Sequence, residues 1–158
     1  MKKQFFDLML EIMRQNKDVV IIFCGLGYPR FEEFSTLYPD RAINSEASEQ
    51  TALDMAVGLA YSGKVPFIYT ITPFLLRGFE TIRSYINHEK LHVILIGAGR
   101  DDDYSKDDGY SHDANDIGKI LNTQENITQY YPDNIDNLQH DLIEALHNNE
   151  PSFISLRR

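Results

Sequence analysis

Apolar positions along the chain alternate between two rhythms. Phe5, Leu8, Met9, Ile12 and Met13 recur at helical spacing, and residues 19–24 (VVIIFC) then run without a polar break to Gly25. The first spacing predicts an amphipathic helix, and the second a strand buried on both faces. The alternation continues with a short helix over 31–37, a short strand over 42–44, a helix from about 47 to 61 and a strand over 65–71. Another helix is expected after Phe74, then a buried strand over 91–97 (LHVILIG), a polar loop over 98–111 and a helix over about 113–121. A strand over 127–131 follows. Asp133 or Asn134 is placed to cap a helix running to His147, and Pro151 precedes a last strand over 152–156. Strands apolar on both faces and separated by amphipathic helices predict an α/β fold, a three-layer α/β/α sandwich around a mostly parallel sheet. Residues 1–158 read as a single domain with no internal repeat.

Such sheets bind ligands outside the carboxyl ends of their strands, where the connecting loops converge. The loops predicted there hold GLGYPR, NSEASEQ, ITPF, GAGRDDDYSKDDGYSHD and YPDN. Charge narrows what these loops meet. With 24 acidic against 15 basic residues the net charge is −9, and the longest basic cluster is Arg157-Arg158, so a nucleic-acid surface or an anionic membrane is not an expected partner. No stretch approaches the roughly 18 apolar residues of a membrane span, and Asp7, Glu11 and Arg14 interrupt the first helix before a signal-type run forms. The single cysteine, Cys24, lies in an apolar run and reads as core, which fits a reducing compartment and the cytoplasm.

Several motifs have plain structural readings. Gly25-Leu26-Gly27 and Gly97-Ala98-Gly99 follow predicted strands, but neither extends to G-x-G-x-x-G, so turn glycines are expected rather than a dinucleotide loop. The run DDDYSKDDG does not fit a calcium loop. Counted from Asp101, Lys106 falls where glycine is required, and counted from Asp103, Ala114 falls on the bidentate carboxylate. It reads as solvated charge. His112, in a Gly-Tyr-Ser-His-Asp turn, is open to either a surface or a ligand-facing role. Glu46 and Glu49 flank the start of the helix in INSEASEQ, where acidic side chains suit the macrodipole and Ser45 or Ser48 is placed to cap.

Taken in order, the motifs resemble one family, the pyrimidine-binding domain of transketolases, deoxyxylulose-phosphate synthases and related thiamine diphosphate enzymes. YPDRAINSEASEQTALDMAVGLAYSGKVPFIYTITPFLLRGFETIR resembles that family's succession of P-D-R, I-N, A-E-Q, G-L-A, S-G, F-L-x-R and E-x-I-R. Farther on, GAG, then DGYSHDANDI, resembles its glycine turn and D-G-x-[ST]-H, and EPSFISLRR resembles its final strand. The resemblance runs from about residue 19 to residue 158.

It implies a role for a carboxylate. Thiamine diphosphate reacts through a C2 carbanion, generated by its own aminopyrimidine once a carboxylate hydrogen-bonds the ring nitrogen. The family glutamate of A-E-Q falls on Glu49, whereas Glu46 stands where the family usually has glycine and is expected to be only a first-turn charge. The ring-stacking phenylalanine falls on Phe74, against ordinary core packing as the alternative. Ile71 takes a position where relatives often carry an aromatic, which predicts an aliphatic wall. Arg77 matches the arginine of F-L-x-R, which implies a cofactor-binding residue with salt-bridge support as its other reading, and His112 matches a histidine that meets substrate oxygens. Three departures stand out: Gly25 where many relatives carry aspartate, Asp113 where a second histidine is common, and an interval from His112 to Asp116 one residue short.

The family binds the diphosphate through Mg²⁺ on another domain marked by G-D-G and a downstream asparagine. This chain has only Asp107-Asp108-Gly109, in the histidine loop. The resemblance therefore implies a small subunit working with a separate diphosphate-binding subunit, as an α2β2 assembly with its active sites between chains. The implied reaction is transfer of a two-carbon ketol unit between sugar phosphates or keto sugars. The other readings are a 2-keto acid decarboxylase or synthase subunit, or a non-catalytic assembly or regulatory partner.

Overall fold

In the computed structural model, which describes residues 1–158, the strands are β1 (Val19–Phe23), β2 (Ala42–Asn44), β3 (Val65–Ile71), β4 (Ile94–Ala98), β5 (Thr128–Tyr130) and β6 (Ser152–Leu156). They form one sheet in the order β2-β1-β3-β4-β6-β5. Every pairing is parallel, so the sheet is wholly rather than mostly parallel. Register explains why these strands are apolar throughout. Phe23, Tyr69, Ile96 and Ile154 lie opposite one another across four strands, and the neighbouring row is Ile22, Ile68, Leu95 and Phe153. Successive strand residues face opposite ways, so the two rows feed two separate cores.

The first row packs beneath α1 (Lys2–Gln15), α2 (Tyr28–Leu37) and α5 (Ile135–His147), through Phe5, Phe6, Met9, Phe34, Leu138 and Leu142. The second packs beneath α3 (Glu49–Tyr61), the segment 72–87 and α4 (Ile117–Leu121), through Leu53, Ala56, Leu75, Ile82 and Leu121. Helices thus cover both faces, as expected for three layers. No helix is long and apolar enough to cross a membrane.

Local departures from the sequence expectation have local causes. The helix expected after Phe74 begins earlier, as a 3-10 turn over Thr72–Gly78, and ends in a π turn over Ile82–Asn87. Close packing accounts for the tight turn: a Cβ on Gly78 would sit 2.4 Å from Leu53 Cδ1 of α3. The strand expected from residue 91 starts at Ile94, because the Leu91 amide donates to Ile86 and that of Val93 to Leu91. The helix expected over 113–121 shortens to α4, since the Ala114 amide donates to Asp101 and the Asn115 amide to the Asp113 side chain. The loop 98–111 holds two helical turns, Ser105–Asp108 and Tyr110–His112. Of the two candidate caps for α5, Asn134 performs the role, accepting from the Asn137 amide at 2.9 Å, while Asp133 pairs with Arg100.

Gly97 is not the turn glycine its motif predicts. It lies inside β4, and a Cβ there would meet Thr72 Oγ1 at 2.5 Å and Phe153 Cε2 at 2.9 Å. Thr72 in turn donates to the Gly99 carbonyl. This close approach pins the start of the 72–78 turn to the middle of the sheet.

Candidate active site

β1 has β2 on one side and β3 on the other, so chain order reverses between β1 and β3. This is the switch point at which open parallel sheets bind ligands. Three loops meet there, following β1, β2 and β3. Glu49 is the first residue of α3 at the end of the β2 loop and is 2% exposed. Its burial separates it from an ordinary first-turn acid, which would sit in solvent. Ser48 occupies the cap position, but its hydroxyl pairs with Thr51 Oγ1 at 2.7 Å rather than with a backbone amide. The Ser45 hydroxyl donates to the Phe23 and Glu46 carbonyls, so neither serine caps the helix with its side chain.

Two donors hold the buried carboxylate. Arg77 Nη1 donates to Oε2 at 2.7 Å, and the Thr70 hydroxyl donates to Oε1 at 3.2 Å. A carboxylate offers about four lone-pair positions, so each oxygen keeps acceptor capacity. The same guanidinium lies over Phe74, 3.8 Å from the ring centroid. His112 approaches that ring edge-on at 4.9 Å, and its Nδ1 lies 3.0 Å from the Ser111 hydroxyl. Four of the expected residues, Glu49, Arg77, Phe74 and His112, are therefore joined in one chain of contacts. Ile71 is partly buried and packs against the first core, on the sheet face opposite Thr70. Cys24 is buried at the base of the site, and burial pushes its thiol up to about 11.

Thr70 is absent from the sequence-level candidates. The available signal is one hydroxyl residue inside the apolar strand VPFIYTI. Glu46 also differs from expectation. It precedes the helix instead of lying in its first turn, has a φ of 54°, and accepts from the Tyr28 hydroxyl at 2.7 Å and from Asn44 Nδ2 at 3.0 Å. Positive φ is costly for a residue with a side chain, and these two bonds hold the loop in it. Gly25 is linked to that path. Its φ is +65°, and a Cβ would lie 3.0 Å from the Ala47 amide nitrogen and 3.1 Å from the Glu46 carbonyl carbon. An aspartate, as many relatives carry, would be strained there and crowd the loop. Gly25 and the Glu46 loop are thus packed against one another.

The acidic loop carrying His112 is largely exposed, as expected of solvated charge, and several of its carboxylates are also paired. Asp101 meets Arg157, Asp102 meets Lys106, and Asp107 meets Arg158. Asp103 accepts from the Arg100 and Arg158 amides. Hydrogen bonds from the Asn115 amide and side chain hold the Asp113 carboxyl below the usual range. Arg100, a buried cation that the sequence motifs do not single out, donates to the Pro132 and Ser155 carbonyls and to Asp133. These contacts fix the loop on both sides of Tyr104, whose hydroxyl accepts from Lys2 at 2.7 Å. No group of three or more His, Cys, Asp or Glu side chains gathers in a way that could hold a metal ion.

A site of this kind takes a planar partner that donates hydrogen bonds at one edge and presents a π face. Arg77 demonstrates the fit, since its guanidinium has both properties and uses both surfaces. An aminopyrimidine has them too once its ring nitrogen carries a proton. Glu49 would hold such a ring by its edge and Phe74 by its face.

Comparison with known proteins places these features in a family. The 1-deoxy-D-xylulose-5-phosphate synthase of Dehalococcoides mccartyi (strain ATCC BAA-2100 / JCM 16839 / KCTC 5957 / BAV1) is 30% identical over 148 residues, covering 89% of this chain and 22% of that protein. One of the subunits of the apulose-4-phosphate transketolase of Phocaeicola vulgatus is 27% identical over 121 residues, covering 75% of this chain and 39% of the relative. This chain thus spans well under half the length of either. A solved structure described as a split-gene transketolase, inactive β4 tetramer, superposes with a TM-score of 0.85 at 24% identity, covering 99% of this chain and 51% of that one. This likeness concerns the fold. The family model described as "Transketolase, pyrimidine binding domain" matches residues 1–158, and the chain belongs to that family.

Proposed function

We propose that this chain is the pyrimidine-binding subunit of a split thiamine diphosphate-dependent transferase that moves a two-carbon ketol unit between sugar phosphates or keto sugars. The observation that carries the reading is Glu49, a carboxylate 2% exposed at the switch point, beside an aromatic ring able to take a planar heterocycle. When bound, thiamine diphosphate supplies the C2 carbanion on which such transfers depend. Glu49 holds the ring nitrogen and favours the imino tautomer of the aminopyrimidine, and Phe74 takes the ring face, whereas Ile71 stays with the first core on the other side of the sheet. His112 donates hydrogen bonds to substrate oxygens or passes protons to them. The diphosphate and its Mg²⁺ are assigned outside residues 1–158, because hard cations need convergent oxygen ligands and no such group gathers within these residues. The names of the two split relatives support a two-chain enzyme, and an α2β2 assembly in the cytoplasm is the arrangement we favour.

The synthase relative at 30% identity favours a second reading, in which the same carbanion chemistry begins with decarboxylation of a 2-keto acid. The readings differ in donor: consumption of a ketose phosphate supports the first, and release of carbon dioxide from a 2-keto acid the second.

Native mass spectrometry tests the split site. The chain is measured alone and co-expressed with a candidate partner carrying G-D-G and a downstream asparagine, with thiamine diphosphate and Mg²⁺ present. Cofactor retained only by the mixed complex is the expected result. A stable mixed complex without cofactor would assign the chain to an assembly role, and cofactor held by this chain alone would remove the need for a partner.

A further inference from the structure

The seat assigned to the aminopyrimidine is filled by a side chain of this protein. Arg77 presents its planar guanidinium to Phe74, 3.8 Å from the ring centroid, while Nη1 donates to Glu49 Oε2 at 2.7 Å. A face on Phe74 and a hydrogen-bonding edge on Glu49 are the same two contacts that the pyrimidine reading requires. With a proton on its ring nitrogen, as in the aminopyrimidinium or imino form, the aminopyrimidine offers the Glu49 carboxylate an N–H donor in a flat, delocalised frame, as a guanidinium does. The face of Phe74 that carries the guanidinium cannot receive a second planar group while Arg77 lies on it.

The backbone of this region is closely packed, and the side chain of Arg77 is not. The turn over Thr72–Gly78 is pinned at its two ends, by Thr72 against Gly97 and by Gly78 against Leu53. The Arg77 side chain is itself 48% exposed, against 2% for Glu49. It has solvent to swing into without any backbone movement. Burial of the carboxylate explains why such an occupant is useful, because an ionised group sealed from water without a partner is strongly destabilising. Thr70 supplies only one neutral donor at 3.2 Å. Arg77 supplies the countercharge.

We infer that Arg77 is an internal surrogate for the aminopyrimidine. Its guanidinium pairs with Glu49 and covers Phe74, and it swings out into solvent when the cofactor ring enters. The inference rests on the reading of Glu49 and Phe74 as the pyrimidine seat. It makes Arg77 a gate on cofactor loading: the ring competes with a tethered guanidinium, so apparent affinity falls in proportion to the fraction of time the seat stands open. The seat also prefers planar rings with a protonated ring nitrogen to heterocycles that lack the donor edge.

The test uses the full chain and the free ring 4-amino-2-methylpyrimidine as probe. Binding is measured by titration calorimetry for wild type, Arg77→Ala and Glu49→Gln. In parallel, the side-chain nitrogen signals of Arg77 are followed by NMR in the wild-type chain. The expected result is binding about tenfold tighter in Arg77→Ala, as for a seat open roughly one-tenth of the time, and loss of that binding in Glu49→Gln. At saturation the wild-type guanidinium signals should change from hindered to free rotation. Equal or weaker binding by Arg77→Ala, or saturation with the guanidinium signals unchanged, would overturn the surrogate role alone. Should Arg77→Ala fail to fold, the wild-type signals decide. Absence of binding by every form would overturn the pyrimidine seat together with the surrogate.

Discussion

Glu49→Gln lowers turnover of the assembled enzyme by about a thousandfold, within the range that general acid–base roles contribute, and leaves fold and assembly in place. The substitution keeps the shape of the side chain and removes its charge and basicity. An amide at this position retains an oxygen for one donor, so Arg77 keeps a partner, and the Thr70 hydroxyl is able to accept from the new amide nitrogen. The net loss of one charged hydrogen bond is about 1.5–3 kcal/mol, which a domain with two full cores tolerates. Activity and stability therefore separate. Turnover at the wild-type level in a complex of unchanged composition would remove Glu49 from the chemistry. Loss of the complex itself would show that the ion pair with Arg77 is chiefly structural.

Gly97→Val has the largest effect on the fold. The valine Cβ would lie 2.5 Å from Thr72 Oγ1 and 2.9 Å from Phe153 Cε2, closer than non-bonded atoms can stand. Both neighbours are themselves held. Phe153 belongs to β6 within the second core, and Thr72 is bonded to the Gly99 carbonyl. Relief requires separating β4 from the turn that carries Phe74 and Arg77. Overpacking of this kind costs on the order of 3 kcal/mol, which for a domain of this length lowers Tm by roughly 10 °C. Gly58→Ala is the control, because a Cβ at Gly58 of α3 would meet nothing within 4 Å beyond the helix's own backbone and its chain neighbours. There the helix gains the roughly 0.5–1 kcal/mol that separates alanine from glycine. Thermal unfolding of the two variants checks the account. A Gly97→Val protein that melts with wild type would mean that the turn is not anchored on the sheet.

What could be read from the sequence divides along the same physical line. β1, β3 and β6 match the expected strand boundaries closely because β-branched and aromatic runs bounded by Gly, Pro or polar residues have one strong reading. Glu49 was legible through its resemblance and its place at a helix start, although the carboxylate's burial was not. Burial depends on β3 and the 72–78 turn closing over it, and no periodicity records that. Thr70, the Tyr28–Glu46 bond and the Arg100 network join residues far apart in the chain, and a single sequence carries no signal for such pairings. The acidic loop is exposed as its composition suggests, but its pairing is not legible, because Arg157 and Arg158 arrive from the far end of the sequence. Gly97 looked like a turn glycine because it begins a G-A-G string, whereas packing against Thr72 determines its residue type.

The most direct test of the central claim, that Glu49 activates the cofactor through its pyrimidine, is hydrogen–deuterium exchange at C2 of thiamine diphosphate bound to the assembled enzyme. Wild type and Glu49→Gln are compared by rapid quench, with cofactor occupancy measured in each. The account predicts that exchange slows by about a hundredfold or more in Glu49→Gln at equal occupancy, within the span of acid–base effects. Exchange at the same rate in both enzymes would contradict it.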